Sequence, residues 1–163
     1  MTFDKLKQTE TYKQFVAAML SGENMEFWVL KAQIYIEYRL KHLLALRLGV
    51  PAGDQDAFIK QFENINYHHL VLLALAGPSD ERLRANLIKL NNVRKEVAHR
   101  FQVTDYLRHL QTFVEAISRS RPWPSSPEDQ ASAVRVALAV VITLVEFHIR
   151  DIEEPGWSDD SEP

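Results

Sequence analysis

An all-α, up-and-down bundle of five to six helices in one domain is the fold that this 163-residue sequence predicts. Three observations carry that expectation. Apolar residues recur at spacings of three and four along most of the chain, the period of a helix with one buried side. Only five glycines interrupt it, and most breakers fall where the apolar period also lapses. No segment alternates apolar and polar residues as a half-buried strand would, and none repeats.

The first helix is expected from about Asp4 to Leu20, with Leu6, Phe15, Ala18 and Met19 on its inner side and Ser21-Gly22 as its stop. The second, about Asn24 to Leu48, is apolar on nearly every side, as a helix surrounded by neighbours would be, and is taken as the central one. Gly49 and Pro51 end it. Asp54 is then the expected N-cap of a third helix carrying Phe58, Phe62, Ile65, Leu72 and Leu75. After Gly77-Pro78, Ser79 is expected to cap a fourth helix, with Asp80 and Glu81 favouring the positive end of its dipole. A fifth amphipathic helix runs from about Thr104 to Arg119 with Leu107, Leu110, Val114 and Ile117 inward. Three prolines between Arg121 and Pro127 force a loop, and Glu128 to Asp151 forms the last helix despite its β-branched run from Val134 to Val145.

Composition narrows the function. The chain is 46% hydrophobic and carries a formal charge of −3, but its last thirteen residues hold six carboxylates and no Lys or Arg. The remainder has 19 basic against 16 acidic residues, a slightly basic body compatible with a polyanionic partner. Residues 1–152 are accordingly expected to form the bundle and 153–163 an acidic, disordered tail. With no cysteine there is no disulfide frame and no thiolate nucleophile, so a reducing cytoplasm fits. The start lacks the basic and apolar regions of a secretory signal. The longest greasy stretch, Val136 to Val145, has ten residues where roughly 20 are needed to span a bilayer, so a buried core helix and no membrane partner are expected.

The fourth helix carries the one chemically pointed segment, Arg94-Lys95-Glu96-Val97-Ala98-His99. On a wheel of about 100° per residue with Val97 at zero, Leu83, Leu87, Leu90, Val93 and Phe101 lie within roughly −40° to +80°. Arg94 falls at about +60°, inside that stripe, and His99 at about 200°, so the two stand about 140° apart and cannot share one face. A guanidinium inside an apolar arc needs a counter-charge. On the central helix Leu30, Ile34, Leu44 and Leu48 mark an arc with Glu37 in its middle, which predicts that Glu37 and Arg94 approach each other. A second arc holds Arg84, Ile88, Asn91, Asn92, Lys95 and His99. It reads either as a solvated face or as a site lining and symmetric dimer contact with Ile88 near its centre. Histidine as acid or base and arginine as phosphate clamp together suit phosphodiester chemistry without a metal.

The run Leu90-Asn91-Asn92-Val93-Arg94-Lys95-Glu96-Val97-Ala98-His99-Arg100-Phe101 resembles the Arg-x4-6-His motif of the HEPN superfamily of helical proteins, with a spacing of four. The preceding helix, Glu26 to Leu48, looks like that superfamily's earlier, acid-bearing helix, and the arrangement is similar to mannitol-operon-repressor-like proteins. The resemblance implies a homodimer whose motif helices meet at a two-fold axis and, in active branches, a metal-independent endoribonuclease of toxin or defence type restrained by an antitoxin or regulator. His99 would then handle a proton and Arg94 the scissile phosphate, with Glu37, Asn91 and Lys95 in support. Active members often carry a small polar residue after the arginine. Lys95 departs from that, and either adds a phosphate contact or marks a non-cleaving, regulator-like member.

No other segment competes. The adjacent His68-His69 project about 100° apart, without a carboxylate at matching spacing, so no metal site is expected. No glycine-rich phosphate loop or nucleophile elbow occurs, and no cofactor is expected. Trp123, between two prolines, is either a lid on the core edge or an exposed recognition element.

Overall fold

The structure, a computed structural model, describes residues 24–99, 103–118 and 122–154, apart from the side chains at 99 and 103–105. The expected first helix, Arg121 and the tail from residue 155 onward lie outside these residues. Among the described residues six helices follow one another: α1 Met25–Arg47, α2 Gln55–Gln61, α3 Tyr67–Ala74, α4 Glu81–His99, α5 Val103–Ser118 and α6 Pro127–Glu153. Short 3-10 turns, Ala52–Asp54 and Pro78–Asp80, lead into α2 and α4, and there is no strand among the described residues.

Helix α1 starts and stops on local chemistry. The Asn24 side chain accepts a hydrogen bond from the Glu26 amide at 2.8 Å, satisfying one of the orphan donors of the first turn. At the other end the Val50 amide donates to the Ala45 carbonyl and the Gly49 amide to the Leu46 carbonyl, both at 3.0 Å, with Gly49 at φ +68°. That is the double bond of a Schellman end, which needs a residue in the left-handed region. As expected, α1 is central, packing against α2, α3, α4 and α6.

Its buried side is not the one that the apolar spacing indicated. Ile34 and Leu48 are 70% and 62% exposed, while Trp28, Val29, Ala32, Ile36, Leu40 and Leu43 form the core side. A helix apolar all round carries no directional signal, so its neighbours decide which side is covered. Glu37 consequently lies half-buried beside the core rather than in the middle of it.

The third expected helix is two. The chain leaves α2 at Phe62 and restarts at Asn66, whose side chain accepts from the His68 amide at 2.9 Å. An asparagine that can cap competes with helix continuation, and here the cap wins. Asp54 makes no side-chain cap on α2. Ser79 likewise does not cap α4: its neighbour Asp80 turns back and accepts from the Gly77 amide at 3.1 Å, fixing the 3-10 turn that precedes the helix.

Ion pairs give the relative directions. Arg39 grips Glu146 by Nε at 2.5 Å and Nη2 at 2.6 Å, and His42 meets Glu153 at 3.2 Å, partners 107 and 111 positions apart, so α1 and α6 run parallel. The Arg135 guanidinium lies 4.2 Å from the centre of the Trp28 ring on the same register. Arg47 at the end of α1 reaches Asp80 at the start of α4, so α4 runs against both. The β-branched run of α6 is helical throughout, capped by Ser126, whose hydroxyl accepts from the Asp129 amide at 3.1 Å.

The core is one cluster in which α1, α3, α4, α5 and α6 all take part, with Trp28, Phe113, Ile36, Leu40, Leu87, Leu90, Leu110 and Leu138 fully buried. Each large aliphatic or aromatic side chain so buried stabilises the fold by about 1.5–3 kcal/mol. Among the described residues α6 is the one helix whose length and composition would allow it to cross a membrane, and half of its most apolar window is buried within the bundle. Its apolar residues Val134, Leu138, Val141, Ile142 and Val145 are core residues, as a central helix of a packed bundle requires.

Candidate functional site

The segment Arg94 to His99 forms the last turns of α4, which continues as regular helix to His99. A continuous helix rises about 1.5 Å and turns about 100° per residue. Arg94 and His99 are therefore separated by about 140° of rotation and roughly 7.5 Å along the axis, with no break between them that would bring them to one face. The His99 side chain lies outside the described residues.

The expected Glu37–Arg94 ion pair does not form. Glu37 accepts from the ammonium of Lys41, one turn further along α1, at 2.9 Å. Lys41 is only 8% exposed, and a lysine so far from water needs the nearest carboxylate, which leaves Glu37 engaged within its own helix. Arg94 is exposed. Lys95 is exposed as well, and neither takes part in an ion pair among the described residues.

The two elements nevertheless meet around Tyr67, the first residue of α3. Burial, the largest effect, pushes the Tyr67 hydroxyl above its ordinary value; the neighbouring Gln33 lowers it, the Glu37 charge raises it and the Arg94 charge lowers it. Glu37 and Arg94 thus flank one buried phenol instead of touching. The Tyr67 hydroxyl and both polar atoms of the Gln33 amide are buried without a well-formed hydrogen bond, and so is Oδ1 of Asn91 on α4. The neighbouring Gln33 and Tyr67 form a polar seam between α1 and α3.

The second arc of α4 is less open than its polarity suggested. Arg84 is half-buried and donates to the carbonyls of Leu75 and Gly77, the latter at 2.7 Å, closing the C-terminal end of α3. Asn91 is buried and Ile88 half-buried, leaving Asn92 and Lys95 as the exposed members.

A second cluster lies at the opposite end of α4, and the sequence reading missed it. Asp80, 3% exposed, accepts from Arg47 Nη1 and Nη2 at 3.2 and 3.1 Å, meets His148 Nε2 at 2.8 Å and takes a hydrogen bond from Ser79 Oγ at 3.3 Å. Burial alone would raise its carboxyl, but the hydrogen bond and charge of His148, followed by those of Arg47, outweigh it and hold the group below the usual carboxylate range. A cavity of about 520 Å³ borders the cluster, between Leu46, Arg47 and Ile152. Ser79 donates to Asp80 and not to His148, so no nucleophile and base are paired here. With both carboxylate oxygens already used, Asp80 acts as a clasp joining the ends of α1, α4 and α6. The one signal for it was Asp80 in a first turn; its partners, 33 and 68 positions away, carry none in sequence.

Tyr35 is a third titrating group, donating to Glu146 at 2.9 Å, and burial together with the Glu146 charge pushes its hydroxyl up to about 12. Among the described residues no three His, Asp or Glu side chains gather as a metal site would require. No family model, curated protein or solved structure matches the chain, so the functional reading rests on its own residues and geometry.

Proposed function

We propose that the chain is a HEPN-like RNA-directed protein, a metal-independent endoribonuclease of toxin or defence type whose site is completed by a second copy. The observation that carries this reading is the pair Arg94 and Lys95, exposed and without ion-pair partners among the described residues, on a helix that continues unbroken to His99. A guanidinium and an ammonium left free of carboxylates can meet a phosphate. The 140° between Arg94 and His99 is what calls for the second copy: two antiparallel α4 ends side by side would set Arg94 of one against His99 of the other.

In such a site one His99 takes the proton of a ribose 2′-hydroxyl, the oxygen attacks the adjacent phosphorus and the bond to the 5′-oxygen breaks. A water molecule returns a proton to that leaving oxygen. Arg94 and Lys95 offset the charge that builds on the phosphoryl oxygens. The products are a 2′,3′-cyclic phosphate and a 5′-hydroxyl, and DNA, lacking the nucleophile, is left intact. Asn91 and Glu37 support the helix end, Glu37 by holding Lys41. A cytoplasmic setting and a restraining antitoxin or regulator belong to the same proposal.

The test is incubation of purified protein with single-stranded RNA in the presence of a chelator, followed by end-group analysis. Cleavage leaving cyclic phosphates, lost in His99→Ala, is expected; intact RNA sinks the catalytic reading. A non-catalytic regulator acting through protein contacts is the second reading. The exposed side of α1 favours it, where Phe27, Ile34 and Tyr38 are 49%, 70% and 49% exposed on one stripe. Substituting Ile34 by Lys would then impair regulation while His99→Ala leaves it untouched.

A further inference from the structure

A cavity of about 740 Å³ lies between the C-terminal turns of α5, the proline loop at 122–125 and the first half of α6. Folded interiors leave few voids larger than a water molecule, whereas pockets for small ligands measure about 300–1,000 Å³. Its described lining includes none of the motif residues. Its body is apolar, with Ile117 on one wall, Val136 and Val140 on the other, and Trp123 in the loop. Val136 turns a β-branched side chain toward it and remains 42% exposed.

The roof is held open by design of the loop. Pro122, Pro124 and Pro127 restrict it, the Gln130 amide donates to the Pro124 carbonyl at 2.8 Å, and Ser126 Oγ donates to Asp129 Oδ2 at 2.6 Å. A roof fixed in this way does not collapse onto the cavity, and a ligand entering it has no loop ordering to offset. Its polar side chains are Ser118 on the α5 wall and Ser125, Asp129 and Ser132 on the other, Asp129 being the one ionisable residue among the described lining. Ser126 occupies one Asp129 oxygen, and among the described residues Oδ1 has no partner.

We propose that this cavity binds a small amphipathic amine, its aromatic body against Trp123, Ile117 and Val136 and its ammonium beside Asp129. The ring of Trp123 offers a stacking face and, near it, the carboxylate selects a cation over an anion. The assignment is independent of the RNA-directed reading.

Dansylcadaverine, a naphthalene sulfonamide with a primary amine tail, is the probe. The full chain should bind it saturably, one per chain, with a Kd of about ten micromolar and with energy transfer from tryptophan to the dansyl group. Its N-acetylated form should bind about tenfold more weakly, 1-anilinonaphthalene-8-sulfonate more weakly still, and Asp129→Asn should erase the preference for the amine. Val136→Trp should fill the cavity and abolish binding; if it fails to fold, Ala133→Phe on the same wall replaces it. Absence of saturable binding, equal binding of amine and sulfonate, or full binding by a folded cavity-filled variant overturns the proposal.

Discussion

The Asp80 carboxylate and the His148 imidazole stand 2.8 Å apart although 68 residues separate them in the chain. With Arg47 on the other carboxylate oxygen, this contact ties the ends of α1, α4 and α6. Removing the carboxylate leaves a partly buried guanidinium and imidazole without their acceptor. Asp80→Ala is therefore expected to lower unfolding free energy by about 3 kcal/mol, as measured by urea denaturation. A loss below about 1 kcal/mol would show that the clasp is incidental.

The same clasp sets a pH dependence. The folded-state value of Asp80 lies below that of an unfolded aspartate, about 3.9, so its contribution is fully present above that pH and is lost as the pH falls through the folded value. Wild type should lose stability more steeply than Asp80→Asn below about pH 4, in thermal scans at successive pH values. Parallel curves would contradict this.

The buried seam behaves oppositely. Gln33 and the Tyr67 hydroxyl are buried without well-formed hydrogen bonds, and replacing both by apolar groups of similar shape removes a desolvation cost. Gln33→Leu combined with Tyr67→Phe should leave stability unchanged or raise it by about 1 kcal/mol. A loss of more than about 1 kcal/mol would mean that the pair is satisfied through a water.

Gly49, at φ +68°, closes the Schellman end of α1. No atom crowds a Cβ placed there, so Gly49→Ala isolates the backbone cost, expected at about 1 kcal/mol. Chemical denaturation of the two proteins side by side measures it.

Most of the fold was legible because local chemistry fixes it. Asn24 and Gly49 act at helix ends in line with their residue types, and the apolar period of α5 matches its buried Leu110 and Val114. Two failures share a cause: a local signal was outvoted by something non-local or competing. The Asn66 cap broke a segment whose apolar period runs through, and α1, apolar on all sides, buried a side that its own spacing did not single out. The site was legible only as a spacing. Lys41, whose burial no local pattern announces, claimed Glu37 and left Arg94 to solvent. The Asp80 clasp depends on partners brought together by packing and, beyond an aspartate in a first turn, had no local signature.

That exposed Arg94, set about 140° from His99 on a continuous helix, makes the assembly of one site from two copies the central claim. Mixed dimers test it most directly. Arg94→Ala and His99→Ala proteins, each checked for folding, are assayed on single-stranded RNA in chelator separately and after subunit exchange. Exchange of an equal mixture makes about half of the dimers mixed and one of the two sites in each retains both residues, so the pair should be inactive apart and recover about a quarter of wild-type cleavage together. Wild-type protein that leaves RNA intact, or a mixture no more active than its components, would contradict the account.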